Sequence, residues 1–144
     1  MAWYTALDKT IQDYLPDLKW IADEPMAKHT SFRIGGPAKR MAFPETREQL
    51  VLLTGFLQEA GITPLLIGNG TNLLVADEGL DTVVIDTSDR LSHIELTGEG
   101  EITADAGVSL AKLAVFAWKH GLTGLEFAHG IPGTVGGALL MNAG

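Results

Sequence analysis

The sequence contains no cysteine. Neither a disulfide framework nor a thiolate nucleophile or metal ligand can be built from it. No apolar run reaches the roughly 18 residues of a membrane span. Asp8, Lys9, Gln12 and Asp13 interrupt the first fifteen residues, where a signal peptide would carry an unbroken apolar core. Positive charge is scarce: 10 lysines and arginines stand against 18 acidic residues, for a formal net charge of -8. That balance argues against nucleic acid or an anionic membrane as the main partner. It leaves room for a small anion, because backbone amides bind phosphate whatever the net charge. The expectation is a cytoplasmic protein with no nucleic-acid or membrane partner. His29, His93, His120 and His129 fall at no metal-ligand spacing, and no G-x-S-x-G context exists, so no metal site or hydrolase triad is expected.

What is present is apolar residues, 46% of the chain, and 17 glycines. The 144 residues suffice for one domain or two small lobes. Trp3, Leu7, Ile11 and Tyr14 or Leu15 recur at helical spacing until Pro16. Residues 30–44 read as a strand, a Gly-Gly-Pro turn and a second strand. Thr46 with Gln49 forms a capping box before a helix carrying Leu50, Leu53, Leu57 and Ala60, and Gly61 stops it. Residues 64–67, 73–75 and 82–86 read as strands. A hairpin over 91–106 turns at "GEGE". Ser109 caps a helix carrying Leu110, Leu113, Ala114 and Ala117, stopped by Gly121. These runs divide into an N-terminal helix (1–20), a first lobe (21–90) and the start of a second lobe (91–144).

Two polar, glycine-rich inserts interrupt the apolar pattern. "GNGTN" at 68–72 lies between two segments that want burial. A Rossmann fingerprint would need glycine at Leu73 and a following helix, and a Walker loop would need lysine, so neither fits. Gly68 and Gly70 can instead aim successive amides into one concavity, a nest that binds anions. Thr71 and Asn72 could add side-chain donors, or Asn72 could brace its own loop. An ordinary β-turn is the plain alternative. The second insert, "GIPGTVGGALLMN", places Gly133 and Thr134 where a helix can begin. Gly136 and Gly137 strip its first turn of side chains, which would leave free amides for a pyrophosphate or a flat ring. Close helix packing is the alternative there. Glu126 in "TGLE" reads as a cap.

Taken together, "HTSFRIGGPA" (29–38), "LIGNGTNLLVAD" (66–77), "TADAGVSLAKL" (103–113) and "GLTGLEFAHGIPGTVGGALLMNAG" (121–144) are far more specific than any one alone. In this order and spacing they closely resemble the UDP-N-acetylenolpyruvoylglucosamine reductases, flavin enzymes of peptidoglycan precursor synthesis. The resemblance covers nearly everything after the N-terminal helix. It implies an α+β, two-lobed FAD-binding domain of the vanillyl-alcohol-oxidase type, with the second lobe incomplete and the substrate domain absent. It implies FAD-binding positions at Gly68, Asn69, Gly70, Thr71 and Asn72, at Gly107, and at Gly130, Ile131, Pro132, Gly133, Thr134, Gly136 and Gly137. Thr71 stands where the family most often has serine, which keeps the hydroxyl and adds a methyl group.

The resemblance also implies a reaction. NADPH reduces FAD, and the flavin passes hydride to the alkene of an enolpyruvyl UDP-sugar. A serine supplies the proton, helped by an arginine and a glutamate. Family members are about twice as long, and all three positions lie beyond residue 144. No catalytic residue is therefore expected within the chain, which is read as an inactive FAD-binding fragment. Two other readings stay open: a non-catalytic nucleotide-binding module, and another FAD oxidoreductase of the same superfamily. The lack of histidine in 68–72 and of cysteine counts against members that tether flavin covalently.

Overall fold

A computed structural model describes residues 1–88 and 90–144. Helix α1 (Tyr4–Tyr14) leads into strand β1 (Lys19–Pro25) and a 3-10 turn at Met26–Lys28. Strand β2 (Pro37–Phe43), helix α2 (Arg47–Glu59), and strands β3 (Leu65–Ile67) and β4 (Leu80–Asp86) follow. These strands form one sheet in the order β1-β2-β4-β3. β1 runs antiparallel to β2, whereas β2, β4 and β3 are mutually parallel. A hairpin of β5 (Ile94–Gly98) and β6 (Glu101–Ala104) is separate. Helix α3 (Leu110–Lys119), a 3-10 segment at Glu126–Gly130 and helix α4 (Val135–Met141) complete the chain.

The central strands are buried on both faces, as parallel strands covered from two sides are. Val83, Val84 and Ile85 are fully buried. Val83 and Ile85 point to one face, where Leu7, Ile11 and Leu15 near and on α1 meet Leu53 and Leu57 of α2. Val84 points to the other, among Met26, Met41, Ile67 and Val75. Truncating a core leucine such as Leu53 to alanine would cost about 2–5 kcal/mol.

The caps sit where the sequence places them. Thr46 Oγ1 accepts from the Gln49 amide at 3.1 Å, and Gln49 Oε1 accepts from the Glu45 amide at 2.7 Å. Ser109 Oγ accepts from the Lys112 amide at 3.1 Å. Gly61 and Gly121 both adopt positive φ after their helices.

Two expected strands are absent. Residues 30–34 form a turn: Thr30 Oγ1 donates to the Ile34 carbonyl, the Arg33 amide donates to the Thr30 carbonyl, and Arg33 has a φ of 56°. The strand paired with β2 is instead β1, whose alternation Trp20, Ile21 and Ala22 is blurred by charged neighbours. Residues 73–75 also lie outside any strand, although Val75 is buried. They fold under Gly35 and Gly36, and the Gly36 amide donates to the Ala76 carbonyl at 2.9 Å.

The parallel strands all end on the same edge. Ala42 lies opposite Ile85, and Ile67 opposite Asp86. Thr87 bolts two of these ends together, its amide and its hydroxyl both donating to the Ile67 carbonyl at 3.0 and 3.1 Å. Crevices outside the carboxyl ends of parallel strands are where open α/β sheets bind ligands. The insert at 68–72 emerges there.

Candidate functional site

The loop Gly68–Asn72 continues directly from β3. The amides of Asn69, Gly70, Thr71 and Asn72 donate to no acceptor among the described residues. Gly70 has a φ of 66°, which glycine adopts at little cost. A Cβ at Gly70 would overlap the His29 carbonyl oxygen, and the Ser31 amide donates to the Gly70 carbonyl at 3.0 Å. Segment 29–31 therefore clamps the loop from one side. His29 is itself held by Glu24 of β1, Nε2 to Oε1 at 2.9 Å. The Asn72 side chain is exposed and has no hydrogen-bond partner among the described residues, so it does not brace the loop.

The second insert closes the other side. A Cβ at Gly68 would overlap Thr134 Oγ1. Thr71 Oγ1 donates to the Pro132 carbonyl at 3.5 Å. Thr134, 2% exposed, caps α4, its Oγ1 accepting from the Gly137 amide at 3.3 Å. An antiparallel bridge joins Ser109 and Thr134.

The start of α4 differs from the sequence reading. The Val135 amide donates to the Val108 carbonyl at 2.8 Å and the Gly136 amide to the Ala106 carbonyl at 2.9 Å. With Gly137 bound to Thr134, the first-turn amides are all taken by protein. The expectation of free helix-terminal donors at Gly136 and Gly137 is thus corrected: the chain needs those bonds to seat α4 on the turn before α3. Gly136 is a packing glycine, since its Cβ would lie 2.9 Å from Ala106 Cβ. Gly137 is exposed and faces open space apart from Thr134. In this insert the amides of Gly133 and Thr134 donate to no acceptor among the described residues.

A groove of about 410 Å³ runs between the inserts. Gly68, Asn69, Gly70, Thr71, Asn72, Ile131, Pro132, Gly133, Thr134 and Gly137 line it, and Leu65, Leu66, Leu73, Leu140 and Met141 make its wall apolar. A smaller hollow of about 380 Å³ adds His129 and Gly130. Gly107 belongs to neither. It is buried, and a Cβ there would overlap the Thr87 and Leu91 carbonyls, so its glycine serves close packing.

A third hollow, about 460 Å³, lies on the other flank of Gly68 and Asn69 and is bounded by Lys28, His29, Thr30, Ser31, Arg33, Asp86 and Ser88. Asp86 is buried, and its Oδ1 accepts from the Ser88 amide and hydroxyl at 2.8 and 2.6 Å. Sequence reasoning missed this flank because residues 30–34 read as a strand and nothing marked Lys28 or His29 as binding. The apolar wall residues of α4 were missed too, since a short apolar run does not announce which face it leaves open. Among the described residues, no group of His, Asp and Glu is arranged to hold a metal ion, and no helix is long and apolar enough to cross a membrane.

Free amides in a glycine cradle, an apolar groove beside it, and a location at the parallel strand ends together suit a ligand with a phosphate and a flat ring. Comparison with known proteins gives the family and the fold. The family described as FAD binding domain matches residues 38–144. UDP-N-acetylenolpyruvoylglucosamine reductase of Caldanaerobacter subterraneus subsp. tengcongensis is 46% identical over 93% of this chain and 44% of its own length. The crystal structure of UDP-N-acetylenolpyruvylglucosamine reductase from Thermus caldophilus matches with a TM-score of 0.67 at 35% identity, over 88% of this chain and 42% of that one. A variant of cholesterol oxidase from Brevibacterium sterolicum matches with a TM-score of 0.63 at 22% identity, over 89% of this chain and 25% of that one, a likeness of fold. The chain spans less than half the length of the reductases it matches. The fold is the expected α+β FAD-binding domain of the vanillyl-alcohol-oxidase type.

Proposed function

We propose, from the premise that the chain belongs to the family of FAD binding domains, that it holds FAD as the cofactor-binding portion of a UDP-N-acetylenolpyruvoylglucosamine reductase. The observation that carries this reading is the clamped loop at 68–72, whose unpaired amides belong to residues that line an apolar groove. Asn69, Gly70, Thr71 and Asn72 would hold the pyrophosphate by main-chain donors. Gly133 and Thr134 would close over it. Leu65, Leu66, Leu140 and Met141 would exclude water from an apolar ring. When bound, FAD supplies hydride transfer between a nicotinamide and an alkene. The 46% identity to the reductase favours that activity over those of proteins sharing only the fold.

The chain by itself is read as a binder and not a catalyst. Reducing an enolpyruvyl sugar nucleotide needs the alkene held over the cofactor and a positioned acid for the adjacent carbon. No residue of this site is assigned to either task. The test has two parts. The purified chain, titrated with FAD, should show a saturable shift of the flavin absorbance. It should show no substrate-dependent NADPH oxidation above the free-flavin background. A flat titration would remove the cofactor reading, and turnover would place catalytic groups within these residues.

A further inference from the structure

We propose that Lys28 and Arg33 supply counter-charge to the cofactor's pyrophosphate from the outer flank of the Gly68–Asn72 loop. The proposal rests on the FAD reading above and adds two residues that no motif of the sequence marked as binding. Both side chains are exposed and border the same hollow as Gly68 and Asn69. Neither has a hydrogen-bond or ion-pair partner among the described residues. Two unpaired cations at one mouth stand out in a chain with 18 acidic against 10 basic residues.

The neighbours of these cations are already engaged. Asp86, which borders the same hollow, accepts from the Ser88 amide and hydroxyl, and Glu24 is paired with His29; neither carboxylate forms an ion pair with Lys28 or Arg33. The backbone also holds Arg33 on purpose. Its φ of 56° is unusual for a residue other than glycine. The turn that imposes it is tied by the Arg33 amide to the Thr30 carbonyl and by the buried Thr30 hydroxyl to the Ile34 carbonyl. That strained turn is continuous with the segment that clamps Gly70. A diphosphate on the loop amides would meet no other unpaired cation among the residues that border the loop's three hollows. Guanidinium and ammonium groups are the side chains that bind phosphate by charge-assisted hydrogen bonds.

The experiment is FAD titration of the chain at low and high salt. The variants are Lys28→Gln with Arg33→Asn, and Arg33→Gly, which removes the side chain while relieving the backbone. Asparagine tolerates the left-handed region, and all positions are exposed, so the fold should persist; apo melting temperature checks this. A control pair, Lys9→Gln with Lys119→Gln, makes the same change of net charge away from the loop. Expected is an FAD dissociation constant about tenfold higher or more for the double variant at low salt, a shallower salt dependence, and less than a twofold change in the control. Arg33→Gly should show part of the loss. If the unmodified chain binds FAD and the double variant binds it equally, the counter-charge proposal is overturned and the FAD reading stands. An equal loss in the control pair, or a loss with an unchanged salt dependence, also overturns the proposal. If the unmodified chain binds no FAD, both readings fall.

Discussion

Gly68, at the end of β3, lies so close against Thr134, the cap of α4, that a methyl group on Gly68 would overlap the Thr134 hydroxyl. The two glycine-rich inserts, far apart in sequence, therefore meet at this point. Gly68→Ala should force them apart, at a cost of about 1–3 kcal/mol by overpacking, and should weaken FAD binding. Thr134→Ala removes the hydroxyl that is struck, and by itself costs about 1 kcal/mol as a lost helix cap. Melting curves of the double variant should therefore show less destabilisation than the sum of the singles. Strict additivity would mean that the two residues do not meet.

Gly70 is constrained twice. Its φ of 66° disfavours any side chain, by about 1–2 kcal/mol for an L-residue, and its missing Cβ makes room for the His29 carbonyl. Gly70→Val should raise the FAD dissociation constant tenfold or more, about 1.4 kcal/mol. Flavin titration reads the effect. Unchanged affinity with an unchanged fold would return the loop to the status of an ordinary turn.

The paired glycines of the second insert should separate in their behaviour. Gly136 touches Ala106 and donates to its carbonyl, so Gly136→Leu should lower the melting temperature of the apo chain. Gly137 is exposed at the groove, so Gly137→Leu should leave the apo melting temperature nearly unchanged and reduce the extra stability conferred by added FAD. Comparing both variants with and without FAD decides the matter. Equal apo losses would show that Gly137 also serves packing.

Much of this was legible in the residues. The helix faces at Leu7, Ile11, Leu53 and Leu57, the caps at Thr46 and Ser109, and the stops at Gly61 and Gly121 are local signals, and they hold. The loop at 68–72 was visible as a polar break between apolar runs. What failed was of two kinds, one local and one long-range. Residues 30–34 have strand-like composition, but a side-chain bond from Thr30 and the positive φ of Arg33 turn them into a corner. The start of α4 has the composition of an open helix terminus, yet Ala106 and Val108 supply the carbonyls that fill it. Hydrogen-bond partners about thirty residues away leave no mark in a local window.

The N-terminal helix is fastened by a second long-range device that no periodicity shows. Arg40 of β2 donates from Nε and Nη2 to the two carboxylate oxygens of Asp8 on α1, each at 2.6 Å. Trp20 of β1 donates to the same carboxylate at 2.8 Å, and the guanidinium stacks over the Tyr4 ring, 3.9 Å from its centroid. Arg40 is only 9% exposed in its side chain. These bonds hold the Asp8 carboxyl below its ordinary value of 3.8, chiefly through Arg40, with burial opposing. Asp8→Asn keeps the shape but leaves the guanidinium without its counter-charge. The expected loss is about 2 kcal/mol, toward the low end for a charged hydrogen-bonded pair because Asp8 is partly solvated. The sign of the pH dependence follows from linkage. A carboxylate whose folded value is depressed contributes stability that is fully present above its unfolded value and is lost as pH falls through the folded one. The melting temperatures of the unmodified chain and Asp8→Asn should thus differ by a constant amount at neutral pH. They should converge only below about pH 4, the range of an ordinary carboxylate. Curves that stay parallel down to pH 2 would show that the charge on Asp8 contributes nothing, and that shape alone holds α1 to the sheet.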